Sequence, residues 1–362
     1  MVTENHLSRG KTGRMIRKIG ILTGGGDCPG LNAVIQAVVQ CAAQKNVEVM
    51  GVRGGWRGFL ENDSEKLTRL QTHDILSLGG TILGTTRINP TQVSGGPEKV
   101  EAAFKRWRLD GLIVVGGEGT MSLARIFHER GLPIVGVPKT IDNDLAGTDF
   151  TFGFDTAVST ATDAIDRLRT TAESHERVMV VEVMGRHAGW IALYAGLAGG
   201  ADVIGLPEEP LSVAHIVKVI QRGRKDGQLF SIVVLAEGVF IQEEDSHQAK
   251  LIYSNENPDA FGRPRLGGVG PAVARMIEAA TGMEARFTVL GHVQRGGTPT
   301  PRDRVLALRF GAKAIELLAA GKTGRMVALK GDQVESVSLE DATHQLKTVN
   351  ADWLNFARMM TK

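Results

Sequence analysis

Five times along this chain an apolar run of strand length ends in glycine or in a tight polar cluster, and three of those ends lead straight into a helix-patterned segment. "KIGILTGGGDCPG" is a short strand followed by Gly24, Gly25, Gly26, Asp27 and Gly30, and "LNAVIQAVVQCAAQ" then reads as a helix. "LDGLIVVGGEGTMSLARIFHER" repeats the plan, with a strand over 111–115, glycines 116, 117 and 119, and a helix after them. "LPIVGVPKTIDNDLAG" is a third strand, "ERVMVVEVMGRHAGWIALYAGLAGG" a fourth with a helix from about Gly189, and "FSIVVLAEGV" a fifth. Buried strands alternating with helices describe a parallel α/β sheet, whose ligands sit in the crevice at the carboxyl ends of the strands. All five polar or glycine-rich segments fall at such ends. The 45 glycines in 362 residues, well above the ~7% usual in globular chains, cluster there and do not form a linker.

A length of 362 residues is enough for two domains, at roughly 100–200 residues each. Net charge is only +2, so no global basic field points to nucleic acid or to a membrane surface, and any anion site must come from local clusters. Two cysteines, Cys28 and Cys41, give neither a disulfide framework nor metal-ligand spacing and fit a reducing cytoplasm. No apolar stretch approaches a membrane span, and residues 1–14 lack the apolar core of a signal peptide, reading instead as a flexible polar tail ahead of a second candidate start at Met15.

Glycine lets backbone N–H groups approach an anion closely, and a following helix N-terminus adds a favourable dipole, so "TGGGDCPG" and "VGGEGT" are candidate phosphate cradles. Tight strand-to-helix turns would read the same way. Neither is a Walker A loop: "GKT" occurs at Gly10–Thr12 and Gly321–Thr323, but Asn5 and Glu316 stand where that motif needs its leading glycine. Arg87, Arg177, Arg186, Arg286, His292 and Arg295 all sit in or beside apolar strands or glycine turns, where a guanidinium has an anion to meet. "PKTIDND" (138–144) crowds Asp142 and Asp144 beside Lys139; close carboxylates repel unless a cation or a substrate proton takes up the charge. His187 has no second ligand at metal spacing and reads as a packed histidine.

In their order along the chain, "GGGDCPGLNAVI", "GGTILGTTR", "GGEGT", "PKTIDND", "GFDTA", "ESHERV", "VEVMGRHAGW" and "LGHVQRGG" resemble the phosphofructokinases, and the likeness runs from about Ile19 to the final "ADWL". It is similar in particular to the bacterial branch with lysine in "PKTIDND", which includes users of ATP and users of pyrophosphate. The resemblance implies the phosphofructokinase fold: two Rossmann-like three-layer α/β/α domains with mostly parallel sheets. It divides the chain into a phosphoryl-donor part, 15–153 plus 295–345, and a sugar-phosphate part, 154–294 plus 346–362. The implied activity is transfer of a phosphoryl group from ATP to the C1 hydroxyl of fructose 6-phosphate in glycolysis, in the cytoplasm.

The resemblance also implies roles. Asp142 matches the general base, with Thr140 and Arg186 completing the catalytic set. Asp144 and Glu118 match the acidic positions that hold Mg²⁺, although most relatives without the lysine have Asp where this chain has Glu118. Gly25, Gly26, Arg87, Gly117, Gly119, Thr120 and Lys139 match the donor site. Arg177, Arg286, His292 and Arg295 match ligands of the 6-phosphate, and Met184, Gly185 and Glu237 lie on the sugar side. Arg177 and Arg286 reach the site from a neighbouring subunit in the family, which implies a homotetramer, or a dimer. Committed pyrophosphate users typically carry aspartate where this chain has Gly119, whereas Lys139 is the rule among them. Steric exclusion outweighs an added charge, so ATP is expected and pyrophosphate is the alternative, beside a kinase of another sugar phosphate.

NAD kinases and diacylglycerol kinases share a "GGDG" turn but would not be expected to carry "GHVQRGG", and a binding paralogue should have lost its carboxylates, yet Asp142 and Asp144 remain. The polar insertion 240–270 is expected to be a surface excursion near the sugar side. Classical bacterial relatives bind nucleotide and phosphoenolpyruvate effectors through two arginines on the first helix, where this chain has Gln36 and Gln40. Neutral amides cannot replace two guanidinium charges facing phosphates. Control by ADP and phosphoenolpyruvate is therefore expected to be weak or absent: phosphoenolpyruvate at about 1 mM should change the steady-state rate by less than about twofold, below the usual allosteric coupling, and a larger sigmoidal shift would contradict this reading.

Overall fold

The structure, a computed structural model, describes residues 16–242, 249–255 and 265–361. The expected tail 1–14 and Met15 lie outside those residues, and the insertion 240–270 is described only in part. In chain order the elements begin β1 (Lys18–Thr23), α1 (Leu31–Gln44), β2 (Glu48–Val52), α2 (Trp56–Glu61), β3 (Ser64–Leu67) and α3 (Gly96–Arg106). They continue with β4 (Gly111–Gly116), α4 (Glu118–Glu129), β5 (Ile134–Pro138), α5 (Phe154–Ser174), β6 (Val178–Val183) and α6 (Trp190–Ala198). Next come β7 (Val203–Gly205), β8 (Leu211–Ser212), α7 (Val213–Lys225), β9 (Ser231–Ala236), and the short strands β10 (Phe240–Gln242), β11 (Lys250–Leu251), β12 (Tyr253–Asn255) and β13 (Arg265–Leu266). Last are α8 (Val269–Thr281), β14 (Ala285–Val289), a 3₁₀ turn (Gly291–Arg295), α9 (Pro301–Ala319), β15 (Arg325–Lys330), β16 (Gln333–Ser338), α10 (Leu339–Thr343) and α11 (Ala351–Met360).

Two sheets carry the architecture. The first has seven strands in the order β16-β15-β5-β4-β1-β2-β3, parallel except for the antiparallel edges β16 and β3. The second has four parallel strands in the order β14-β6-β9-β7. Strands β4, β5, β6 and β9 are buried along their whole length, which is why their sequences read as unbroken apolar runs without alternation. This is the α/β, mostly parallel arrangement that the glycine-ended strands predict.

Order in the first sheet matters more than its size. From β1 the chain moves outward to β2, then returns to β4 on the other side of β1 and goes on to β5. The loops after β1 and β4 therefore leave in opposite directions and open a crevice between them, at the strand-order reversal where open α/β sheets bind ligands. One apolar core runs through both sheets, from Ile113 and Val135 through Phe152, Phe154 and Ile165 to Val181 and Ile232. The crevice is thus walled by two sheets whose buried faces are continuous. Among the described residues no helix is long and apolar enough to cross a membrane.

Candidate active site

At the carboxyl ends of β1, β4, β5 and β6 lies a cleft of about 470 Å³. The first sheet contributes Gly25 and Gly26 after β1, Arg87, the run Gly117–Thr120 at the start of α4, and Lys139, Thr140, Asp142 and Asp144 after β5. Arg186 and Arg295 reach it from the second sheet. Thirteen residues that sequence reasoning marked separately are therefore neighbours on one surface.

The backbone explains how they come together. Gly25 has φ +78°, a left-handed conformation that side chains rarely adopt, and its N–H donates to the Thr86 carbonyl at 3.2 Å, tying the first loop to the segment that carries Arg87. After β4, Glu118 stands in the first turn of α4, where the helix dipole favours a negative charge, and the Ser122 hydroxyl donates to its Oε1 at 3.2 Å. Arg186 holds φ +54°, uncommon for a residue with a side chain, and its N–H donates to Glu237 Oε1 at 3.2 Å. A Cβ on Gly238 would collide with the Arg186 carbonyl oxygen, so the loops after β6 and β9 are pressed together at a point that only glycine permits. Such backbone outliers persist where surrounding structure over-determines them.

The loop after β5 concentrates charge. Lys139 is 3% exposed; burial holds its amine below the usual lysine range, and Nζ donates to the Gly26 carbonyl. Asp142 is 5% exposed, and its N–H donates to the Thr140 hydroxyl at 3.0 Å. Oδ1 of Asp142 and Oδ1 of Asp144 are both buried without a hydrogen-bond partner. Burial first, then repulsion from Asp142, push Asp144 up to about 7, against the opposing pull of hydrogen bonds from its own backbone and from Thr140; Glu118 adds further repulsion. The unpartnered buried oxygen of Asp144, with the Glu118 carboxylate close enough to repel it, fits a divalent cation. Among the described residues no group of three or more His, Cys, Asp or Glu side chains is arranged to hold a metal ion. A pair of carboxylates suits Mg²⁺, which keeps waters and substrate phosphates among its ligands.

The remaining marked residues fall elsewhere. Gly185 adjoins Arg186, Glu237 meets Arg186 from behind, and Met184 packs partly buried against the core. His292 is exposed on the 3₁₀ turn that ends at Arg295, whose Nη1 donates to the Asp27 carbonyl at 3.2 Å. Arg177 precedes β6 and Arg286 is the second residue of β14, so both stand at the amino ends of their strands, about 20 Å of strand away from the cleft. There Arg177 Nε donates to Glu284 Oε2 at 2.6 Å, and Arg286 pairs with Glu284 and, at 3.3 Å, with Glu278.

One expectation is corrected. His187 is not packed but exposed, and it lines the cleft beside Arg186, because the turn at Gly185 and Arg186 swings it out of the β6 direction. Sequence reasoning also missed Thr343, His344, Gln345 and Leu346, which close the far wall at the end of α10 and just beyond it. They carry no motif, and only the chain's return along β15 and β16 brings them here.

A cleft of this make-up, built on glycine loops, three arginines, a lysine and buried carboxylates, suits the binding and transfer of phosphoryl groups. The chain is a member of the phosphofructokinase family, whose model matches residues 18–318. It is 54% identical over 333 residues, 92% of this chain and 96% of the other, to the pyrophosphate–fructose 6-phosphate 1-phosphotransferase of Amycolatopsis methanolica. It is 49% identical over 333 residues, again 92% and 96%, to the ATP-dependent 6-phosphofructokinase 3 of Streptomyces coelicolor. Among solved structures, the phosphofructokinase of Saccharomyces cerevisiae aligns with a TM-score of 0.79 at 30% identity, over 91% of this chain and 45% of that longer one.

The buried carboxyl behind Arg186 gives a pH test. Burial, then the charge of Asp142, push Glu237 from 4.5 up to about 7. A raised carboxyl pKa contributes stability that is fully present below the unfolded value and is lost as pH rises through the folded one. Glu237→Gln cannot ionise, so its thermal midpoint relative to the parent should rise between about pH 5 and about pH 8. A pH-independent offset would contradict the assignment.

Proposed function

We propose that the protein is an ATP-dependent 6-phosphofructokinase that phosphorylates the C1 hydroxyl of fructose 6-phosphate. The C1 oxygen attacks the terminal phosphorus of ATP, the bond from that phosphorus to the bridging oxygen breaks, and ADP leaves. Asp142 takes the hydroxyl proton, held in place by the contact of its own N–H with Thr140. A carboxylate is a weak base for an alcohol, so most of the acceleration must come from in-line positioning and from neutralisation of the phosphoryl oxygens by Arg87 and Arg186. Asp144 and Glu118 would hold Mg²⁺, which when bound supplies positive charge to the donor phosphates. The N-terminus of α4, with Gly117, Gly119 and Thr120, and the loop at Gly25 and Gly26 cradle those phosphates through backbone N–H groups.

The observation that carries the choice of ATP is the space at Gly119: a Cβ there would meet nothing within 4 Å, although the residue lines the cleft. An aspartate would enter that space with a charge that repels a nucleotide's inner phosphate. A second reading, pyrophosphate as donor, draws support from Lys139, a buried cation on the same wall, and from the name of the Amycolatopsis methanolica relative. The donor part would comprise 15–153 plus 295–345 and the sugar part 154–294 plus 346–362. Arg177, Arg286, His292 and Arg295 bind the sugar's 6-phosphate, Met184, Gly185 and Glu237 border the sugar, and the site is completed across subunits of a homotetramer.

Fructose 1,6-bisphosphate formation with Mg²⁺, measured in parallel with ATP and with pyrophosphate, tests the proposal. ATP should support turnover in the parent, and Gly119→Asp should lower kcat/KM for ATP by about 100-fold or more while leaving any pyrophosphate turnover equal or higher. Turnover with pyrophosphate alone, or indifference of ATP turnover to the substitution, would overturn the donor assignment.

A further inference from the structure

The segment after α10 lies beyond the stretch matched by the family model, which ends at residue 318, yet it forms one wall of the cleft. Its course is fixed by contacts with both sheets. Leu346 forms an antiparallel bridge with Leu145, and the N–H of Lys347 donates to the Asp144 carbonyl at 2.8 Å. Trp190 Nε1, at the start of α6, donates to the Lys347 carbonyl at 2.8 Å. Glu208 Oε1 accepts from the N–H of Val349 and from that of Gly189, each at 2.9 Å. The strap thus stitches the loop after β5 to the end of the loop that carries Arg186 and His187.

The Lys347 side chain does something more specific. Its Nζ donates to Asn143 Oδ1 at 3.0 Å, to the Thr148 carbonyl at 3.0 Å and to the Asp149 carbonyl at 2.8 Å, and it stands 5.6 Å from the centre of the Trp190 ring. Lys347 is half-buried, and a cation partly withdrawn from water costs free energy unless its donors are taken; here three oxygens take them. Asn143 is the residue between the two aspartates. It holds φ +51°, and its Oδ1 also accepts from the Thr151 N–H at 3.0 Å. Both of its neighbours line the cleft.

We infer that Lys347 is a positioning residue for the reaction: by holding Asn143 in its left-handed conformation from the far side, it fixes where the Asp142 and Asp144 carboxylates stand. The inference rests on the proposed role of Asp142. A solvated lysine would gain nothing from three fixed carbonyl-type partners, and a lysine serving stability alone has no reason to choose the one side chain between the carboxylates. A misplacement of a reacting group by about 1 Å is enough to cost roughly 100-fold in rate, so the effect should appear in kcat.

The test compares Lys347→Met, Lys347→Arg, Asn143→Gly and the double variant Lys347→Met/Asn143→Gly with the parent, reading kcat, both KM values and the thermal midpoint. Lys347→Met should lower kcat by about 10–100-fold with both KM values within about threefold. Lys347→Arg should recover part of that loss, and the double variant should be no slower than the slower single variant, because both act through the same side chain. Unchanged kcat in folded Lys347→Met, losses confined to KM, or multiplicative losses in the double variant would overturn the inference. If Lys347→Met does not fold, unchanged kcat in Lys347→Arg and Asn143→Gly overturns it equally. Asp142→Asn in parallel separates the two claims: full activity there sinks the role of Asp142, whatever Lys347 does.

Discussion

Everything in this molecule that bears on chemistry is arranged around two carboxylates that repel each other in a place largely closed to water. Asp142 and Asp144 stand two residues apart after β5, each with a buried oxygen that no protein donor satisfies. A fold tolerates such a pair only when the surrounding structure leaves the loop no alternative. That restraint comes from several directions: the Thr140 hydroxyl against the Asp142 N–H, the Lys347 N–H on the Asp144 carbonyl, and the Thr151 N–H and Lys347 amine on Asn143. The repulsion that remains is what the proposed metal ion and substrate hydroxyl would relieve.

The sheets explain why that charge shares a cleft with arginines and glycine loops. Reversal of strand order at β1 and β4 opens the crevice, the glycines beside it bring backbone N–H groups to its surface, and β5 delivers the carboxylates to the same rim. Arg186 and Arg295 come from the second sheet, and the common core through Phe152 and Phe154 holds their strands against the first. Cationic groups and carboxylates therefore face each other across a gap set by packed apolar side chains.

Much of this was legible in the sequence, for physical reasons that also mark the limits. Strands buried on both faces leave unbroken apolar runs, so β1, β4, β5, β6 and β9 could be read directly, and polar or glycine residues at the ends of the first four fell on the cleft. Edge strands such as β16, with the sequence QVESVS, are half-exposed and polar and leave no apolar run to read. His187 was misread as packed because its orientation depends on the left-handed Arg186 before it, which a sequence does not display. The wall from Thr343 to Leu346 and the clamp by Lys347 escaped because a lone lysine in a polar tail reads as a solvated charge. Its partners lie some 200 residues earlier in the chain. Arg177 and Arg286, by contrast, were marked from the sequence, yet the single chain places them at the opposite strand ends from the cleft.

The measurement closest to the centre of this account is the pairing of stability with rate in Asp142→Asn. Replacing one member of a repelling buried pair by an uncharged side chain of the same shape should raise the thermal midpoint by about 1–3 °C at neutral pH while lowering kcat by about 100-fold or more. A protein that keeps its rate, or one that loses stability along with it, would contradict the view that this repelling pair is held at the site for the reaction.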